Sequence, residues 1–137
     1  MVFSRRWNGQ SFIPTKPILT RVEVYIGKTG RPSSPLTLSV WSSRNGADLV
    51  SISKPGSVIS TTSSWVEFDF SHLPVTPGIT YYLVLKTTSG NSKNYYYWGS
   101  GYNTPYTSGT QWNSVDRGST WTQSTLYDFC FKTYGYT

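Results

Sequence analysis

Three stretches of this chain alternate apolar and polar side chains with a period of two: residues 18–26 (ILTRVEVYI), 36–42 (LTLSVWS) and 65–70 (WVEFDF). Successive side chains of a strand point to opposite faces, so each stretch buries one face and wets the other. Val22, Val24 and Ile26 are expected inside, with Arg21, Glu23 and Tyr25 outside. Leu36, Leu38 and Val40 are expected inside, with Trp41 outside. Val66, Phe68 and Phe70 face inward in the third stretch, leaving Trp65, Glu67 and Asp69 outside. Residues 79–87 (ITYYLVLKT) are nearly continuously apolar, the pattern of a central strand covered on both faces. Shorter strand signals fall at residues 10–13, 49–53, 57–60, 94–99 and 125–133. In the last of these Tyr127, Phe129 and Phe131 share a face. Turn-forming runs separate them, including residues 27–35, Asn45-Gly46, Pro55-Gly56 and residues 74–78. No segment carries a 3.6-residue period. Eight to ten short strands of this kind predict an all-β chain, folded as a two-sheet antiparallel β-sandwich with the jelly roll as its expected form. The domain is placed at residues 10–135, and residues 1–9 are read as an N-terminal arm.

Composition agrees with one such domain and removes other classes. A chain of 137 residues falls within the usual size of a single domain, about 100–150 residues. It is 17% aromatic and 13% charged, the reverse of a disordered chain. No apolar run approaches the roughly 20 residues of a membrane span. Cys130 is the single cysteine, so no internal disulfide framework exists. The net charge of +6 comes from residues scattered along the chain, with only Arg5 and Arg6 adjacent. Phosphate backbones are held by clustered cations, so the pattern argues against nucleic acid as a partner.

The first residues lack the apolar core of a signal peptide. They fit either a whole intracellular or viral product or a domain of a longer secreted protein. The 21 serines and 18 threonines among few charges favour the second reading: an extracellular or cell-surface module, with a viral particle as the alternative setting.

The sharpest motif is Ser114-Val-Asp116-Arg-Gly118-Ser-Thr120-Trp121, which matches the Asp box, S-x-D-x-G-x-T-W, of sialidases and several other β proteins. The spacing has a physical reading. Asp116 can fold its carboxylate back onto turn amides, Gly118 can take the positive φ that closes a hairpin, and Trp121 can lay its indole on the sheet. The resemblance implies a structural hairpin. A single copy, without the repeats a propeller needs, argues against a sialidase.

Residues 10–135 as a whole resemble choice-of-anchor β-sandwich modules of secreted archaeal and bacterial proteins. The likeness lies in strand patterns such as LTRVEVY (19–25), WVEFDF (65–70), TPGITYYLVL (76–85) and NYYYWG (94–99). It implies an architecture like that of carbohydrate-binding jelly rolls and carries no catalytic signature.

Catalytic and metal-binding signals are sparse. His72 is the only histidine, and it reads as a surface turn residue without the partners of a triad. No nucleophile elbow or phosphate loop is present. Glu67 and Asp69 beside Trp65 supply the two carboxylates a glycosidase needs, but read more simply as a solvated strand face. Cys130 and His72 lack zinc-ligand spacing, and Cys130 reads as an inert, partly buried thiol. No cofactor is expected; a structural calcium ion held by Asn45 and Asp48 is the one metal site considered.

Aromatic residues carry the functional expectation. Tyr95, Tyr96, Tyr97, Trp98, Tyr102, Tyr106 and Trp112 lie among Gly, Ser, Asn and Thr. Flat rings beside hydroxyl and amide groups suit a sugar ring, whose C–H face stacks while its hydroxyls find polar partners. The candidate ligand-binding set is Asn94, Tyr96, Trp98, Tyr102, Asn103, Tyr106 and Trp112. The chain is therefore read as a non-catalytic module that recognises carbohydrate or a cell-surface polymer. The alternative is a structural or adhesive domain contacting other proteins in a surface-layer, secreted or viral assembly.

Overall fold

The computed structural model describes residues 1–44, 46–102, 109–124 and 127–137. Their strands form two antiparallel sheets packed against each other, with no α-helix among the described residues. The larger sheet has six strands, in the order β10 (Thr122–Ser124), β9 (Gln111–Ser114), β1 (Trp7–Phe12), β6 (Tyr81–Lys86), β3 (Leu36–Trp41) and β4 (Val50–Lys54). The smaller sheet places β2 (Ile18–Thr29) between β5 (Ser64–Pro74) on one edge and β12 (Phe131–Tyr136) and β7 (Tyr95–Trp98) on the other. A short ladder of β8 (Ser100–Tyr102) and β11 (Tyr127–Phe129) completes the set.

The alternating stretches become β2, β3 and β5, with the faces the sequence predicts. Val22, Val24, Ile26, Leu36, Leu38, Val40 and Phe68 are all fully buried between the sheets. Each aliphatic side chain removed from water in this way contributes about 1.5–3 kcal/mol. The apolar β6 is central, flanked by β1 and β3. Leu83 and Leu85 point into the sandwich, while Val84 lies on the opposite face and is nevertheless buried.

The twelve strands among the described residues exceed the expected eight to ten because two runs of chain are broken at a junction. The backbone N–H of Gly99 donates to the Tyr25 carbonyl (2.8 Å), that of Tyr25 to Cys130 (3.1 Å), and that of Cys130 to Gly99 (2.8 Å). Three strands meet in this ring of peptides. Along β2, β7 pairs with residues 26–29 and β12 with residues 18–24, one on either side of Tyr25; at the ring both runs leave β2 and pair with each other as β8 and β11. Gly99 fits because a Cβ there would stand 3.0 Å from the Tyr25 ring.

Other expectations are corrected. Residues 1–9 are not an arm: Val2 is fully buried and exchanges backbone hydrogen bonds with Tyr96, and β1 begins at Trp7. Residues 57–60 do not form a strand; a 3-10 turn occupies Gly56–Val58. Tyr127 does not share the burial of Phe129, being 41% exposed against 5%.

A buried amide joins the sheets. Gln10 of β1 is fully buried. Its Oε1 accepts the Phe129 backbone N–H (2.7 Å), and its Nε2 donates to Asp128 Oδ1 (3.1 Å). Burial of an amide is tolerable only with such partners.

Candidate functional site

The outer face of the six-stranded sheet is covered by tryptophans. Strand register places Trp7 and Gly9 of β1, Tyr82 and Val84 of β6, Trp41 of β3 and Trp112 of β9 on this one face. Trp121, which follows the 114–121 turn, lies across them. Its ring meets Trp41 edge-on at 5.9 Å, and Trp41 meets Trp7 at 6.2 Å. Edge-to-face arrangements of this kind suit the ring quadrupoles. Gly9 makes the overlay possible, because a Cβ there would stand 3.2 Å from Trp121 Cζ3. Trp41, expected to face water, is on the predicted face but only 4% exposed.

The 114–121 turn fixes Trp121 through polar contacts. Ser114 Oγ donates to Asp116 Oδ1 (2.8 Å) and accepts the Gly118 N–H (2.8 Å). Thr120 gives Asp116 both its N–H (2.9 Å) and its hydroxyl (2.5 Å). These bonds from Thr120, then Ser114, hold the Asp116 carboxyl below its ordinary pKa. Gly118 adopts φ 81°, and Arg117 before it adopts φ 59°. From this anchor, Trp121 Nε1 donates to the Arg44 carbonyl (2.7 Å).

Arg44 is exposed, with its guanidinium carbon 4.1 Å from the centre of the Trp112 ring. Trp112, Trp41, Trp121 and Gly9 enclose no space large enough for water, so the cluster is a packed floor. Beside it the surface opens into a groove of about 590 Å³, walled by Arg44, Ile79, Tyr82 and Trp121 and edged by hydroxyl residues such as Ser42 and Thr80. A second depression of about 430 Å³, lined in part by Trp7, Trp41, Lys86 and Arg117, meets the first at Ser119. Asp48 borders it. Burial raises the Asp48 carboxyl pKa, but hydrogen bonds from Trp41 Nε1 (2.6 Å) and Lys86 Nζ (3.0 Å) outweigh burial and bring it below the ordinary value.

The site anticipated from the sequence is dispersed by the fold. Tyr96 and Trp98 are 0% and 4% exposed and belong to the core. Antiparallel pairing sets Trp98 opposite Ile26, whose side chain is on the inner face of β2. Trp98 stacks on Phe129 at 4.4 Å and donates its indole N–H to the Cys130 carbonyl (2.9 Å); Tyr96 donates its hydroxyl to the Ser34 carbonyl (2.7 Å). Neither offers a face to a ligand. Asn94 is spent on a turn, accepting the Arg31 N–H and donating to Asn91. Trp112 carries Arg44 on its ring and so is a support, not a bare platform. Asn103 and Tyr106 lie outside the described residues, and of Tyr102 only the backbone is described, paired with Tyr127.

The remaining candidates are also engaged. Glu67 pairs with Arg21 at 2.9 Å, and Asp69 accepts the Ser71 N–H at 2.7 Å. Trp65 lies beside Tyr25 (5.4 Å), with Lys132 Nζ 4.2 Å from its ring centre. His72 lies in β5, not in a turn, and its Nδ1 meets the Tyr136 hydroxyl at 2.8 Å. Burial raises the Cys130 thiol pKa. The Asp48 carboxylate, considered for calcium, is paired with the Lys86 ammonium at 3.0 Å; Asn45 lies outside the described residues. Among those residues no group of three or more His, Cys, Asp or Glu could hold a metal ion. No helix among the described residues is long and apolar enough to cross a membrane.

Comparison with protein-family models, curated proteins and solved structures finds no match to this chain. The outer-face groove therefore stands on its own geometry. Sequence reasoning missed Arg44 and Tyr82 as members of one site. Tyr82 was readable as the outward partner of Tyr81 in an alternating strand. The meeting of Arg44 with Trp112 and Trp121 depends on strand order, which no local pattern states.

Proposed function

We propose that this protein is a non-catalytic module that binds carbohydrate in the groove between Trp121, Tyr82 and Arg44. The observation that carries the reading is the fixed ring of Trp121 at the groove wall, anchored at its nitrogen by Arg44 and at its backbone by the 114–121 turn. A rigid aromatic wall beside hydroxyl residues and a guanidinium suits a pyranose: its C–H face packs on the ring, and its hydroxyls exchange hydrogen bonds with the rim. The packed tryptophan floor holds the wall in place before a ligand arrives, which lowers the ordering cost of binding. The reading carries an extracellular or cell-surface setting, for which the Ser/Thr-rich, charge-poor composition is the support.

Polysaccharide pull-down and glycan-array binding test it. The wild type is expected to retain at least one glycan class that Trp121→Ala releases while remaining folded by circular dichroism. Absence of glycan binding by the wild type, or unchanged binding by the folded variant, contradicts the reading.

A further inference from the structure

Resting on that reading, we infer that the preferred ligand is an acidic glycan, whose carboxylate or sulfate groups are taken by Arg44 and Arg117 on either side of Ser119. Among the described residues Arg44 is the single charged one lining the larger groove, with no carboxylate across from it. A cation–π contact holds its guanidinium carbon 4.1 Å from the centre of the Trp112 ring. An arginine placed this way keeps its in-plane N–H fork for a planar or tetrahedral anion, with less rotamer freedom to lose on binding.

The smaller depression repeats the imbalance. Its lining carries Lys86 and Arg117 against Asp48, and Asp48 is already paired with Lys86 at 3.0 Å. Asp116, the other acid on this side, is tied to Ser114 and Thr120. Among the described residues no carboxylate forms an ion pair with Arg44 or Arg117. Arg117 is also held at φ 59°, a left-handed conformation that non-glycine residues seldom adopt. The turn thus presents a long cation where a glycine would fit the backbone more easily. Because the two depressions meet at Ser119, one chain of acidic sugars can cross it and reach both arginines.

Affinity measurements with polygalacturonate, dextran sulfate, neutral dextran and single-stranded poly(dT) test the inference on wild type, Trp121→Ala, Arg44→Ala, Arg44→Lys, Arg44→Ala/Arg117→Ala and Lys132→Ala. Lys132 is on the outer face of the other sheet and controls for net charge. At least one acidic polysaccharide should bind about tenfold or more tighter than dextran, as charge-assisted hydrogen bonds allow. Arg44→Ala should remove most of that preference, Arg44→Lys should recover part of it, the double variant should abolish it, and Lys132→Ala should leave it intact. The stronger of the two acidic polymers identifies carboxylate or sulfate as the group read. Equal binding of dextran, with loss only on Trp121→Ala, overturns the acidic preference and leaves carbohydrate binding standing. Equal weakening by Lys132→Ala reduces the effect to bulk charge and overturns the inference. Tighter binding of poly(dT) through the same arginines reassigns the groove to nucleic acid. No glycan binding in any arm overturns both readings.

Discussion

The indole nitrogen of Trp121 donates a hydrogen bond to the carbonyl oxygen of Arg44 at 2.7 Å, across 77 residues of chain. This contact ties the 114–121 turn to the segment after β3, and so sets one wall of the groove against its guanidinium. Trp121→Phe keeps a ring over Gly9 but removes the donor. We expect a stability loss of about 1 kcal/mol, the usual net value of one such bond, measured by urea denaturation. Ligand binding should weaken without disappearing, because a flat ring remains.

The carboxyl of Asp116 has its pKa lowered by hydrogen bonds from Thr120 and Ser114. A carboxylate with a lowered folded pKa stabilises the fold above its unfolded pKa, and that contribution fades as pH falls through the folded value. Asp116→Asn should therefore lower Tm by several degrees at pH 7. The gap from wild type should close as pH falls below the ordinary carboxyl range, about 4, and through the lowered folded value. Thermal melts across that range measure it; a gap that stays constant with pH contradicts the role.

The clasp between sheets should respond to loss of its amide. Gln10→Leu keeps an apolar stem in the core but leaves the Phe129 N–H without its Gln10 acceptor and Asp128 without one donor. A cost of about 1–3 kcal/mol is expected for buried groups deprived of a partner. Amide exchange should accelerate at Phe129 more than at Val22 in the centre of β2.

Trp98 is a core residue at the strand junction, and its variants should report stability instead of affinity. Trp98→Ala should cost about 3–5 kcal/mol, the range for removing a large buried aromatic ring. Trp98→Phe retains a ring against Phe129 but loses the bond to the Cys130 carbonyl, so it should stay folded with normal ligand affinity. Reduced affinity in a folded Trp98→Phe protein would return this residue to the binding site.

Particular residues show where the sequence was legible. Val22, Val24, Ile26, Leu36, Leu38 and Val40 were readable as core because a strand in a two-layer sandwich stamps its burial onto a period of two. The contacts of Asp116 and the positive φ of Gly118 were readable because a turn is local. Alternation separated Tyr95 and Tyr97 from Tyr96 and Trp98 but could not say which pair faced inward. Pairing with β2 decides that, since Trp98 opposes Ile26. Trp41 shows a further limit: an outward face becomes buried when Trp7 and Trp121 arrive from distant segments. Arg44 was one scattered cation in the sequence, and only β1, β6, β3 and β9 side by side give it a groove.

The most direct measurement is a two-dimensional 1H–15N titration of the protein with acidic and neutral oligosaccharides, followed at the tryptophan indole signals and the backbone amides. Saturable shifts are expected at the Trp121 indole and at the amides of Arg44, Thr80 and Tyr82. The Trp65 indole, on the opposite sheet, should remain unmoved. Shifts centred on Trp65 and Tyr25, or no saturable shift with any sugar, would contradict it.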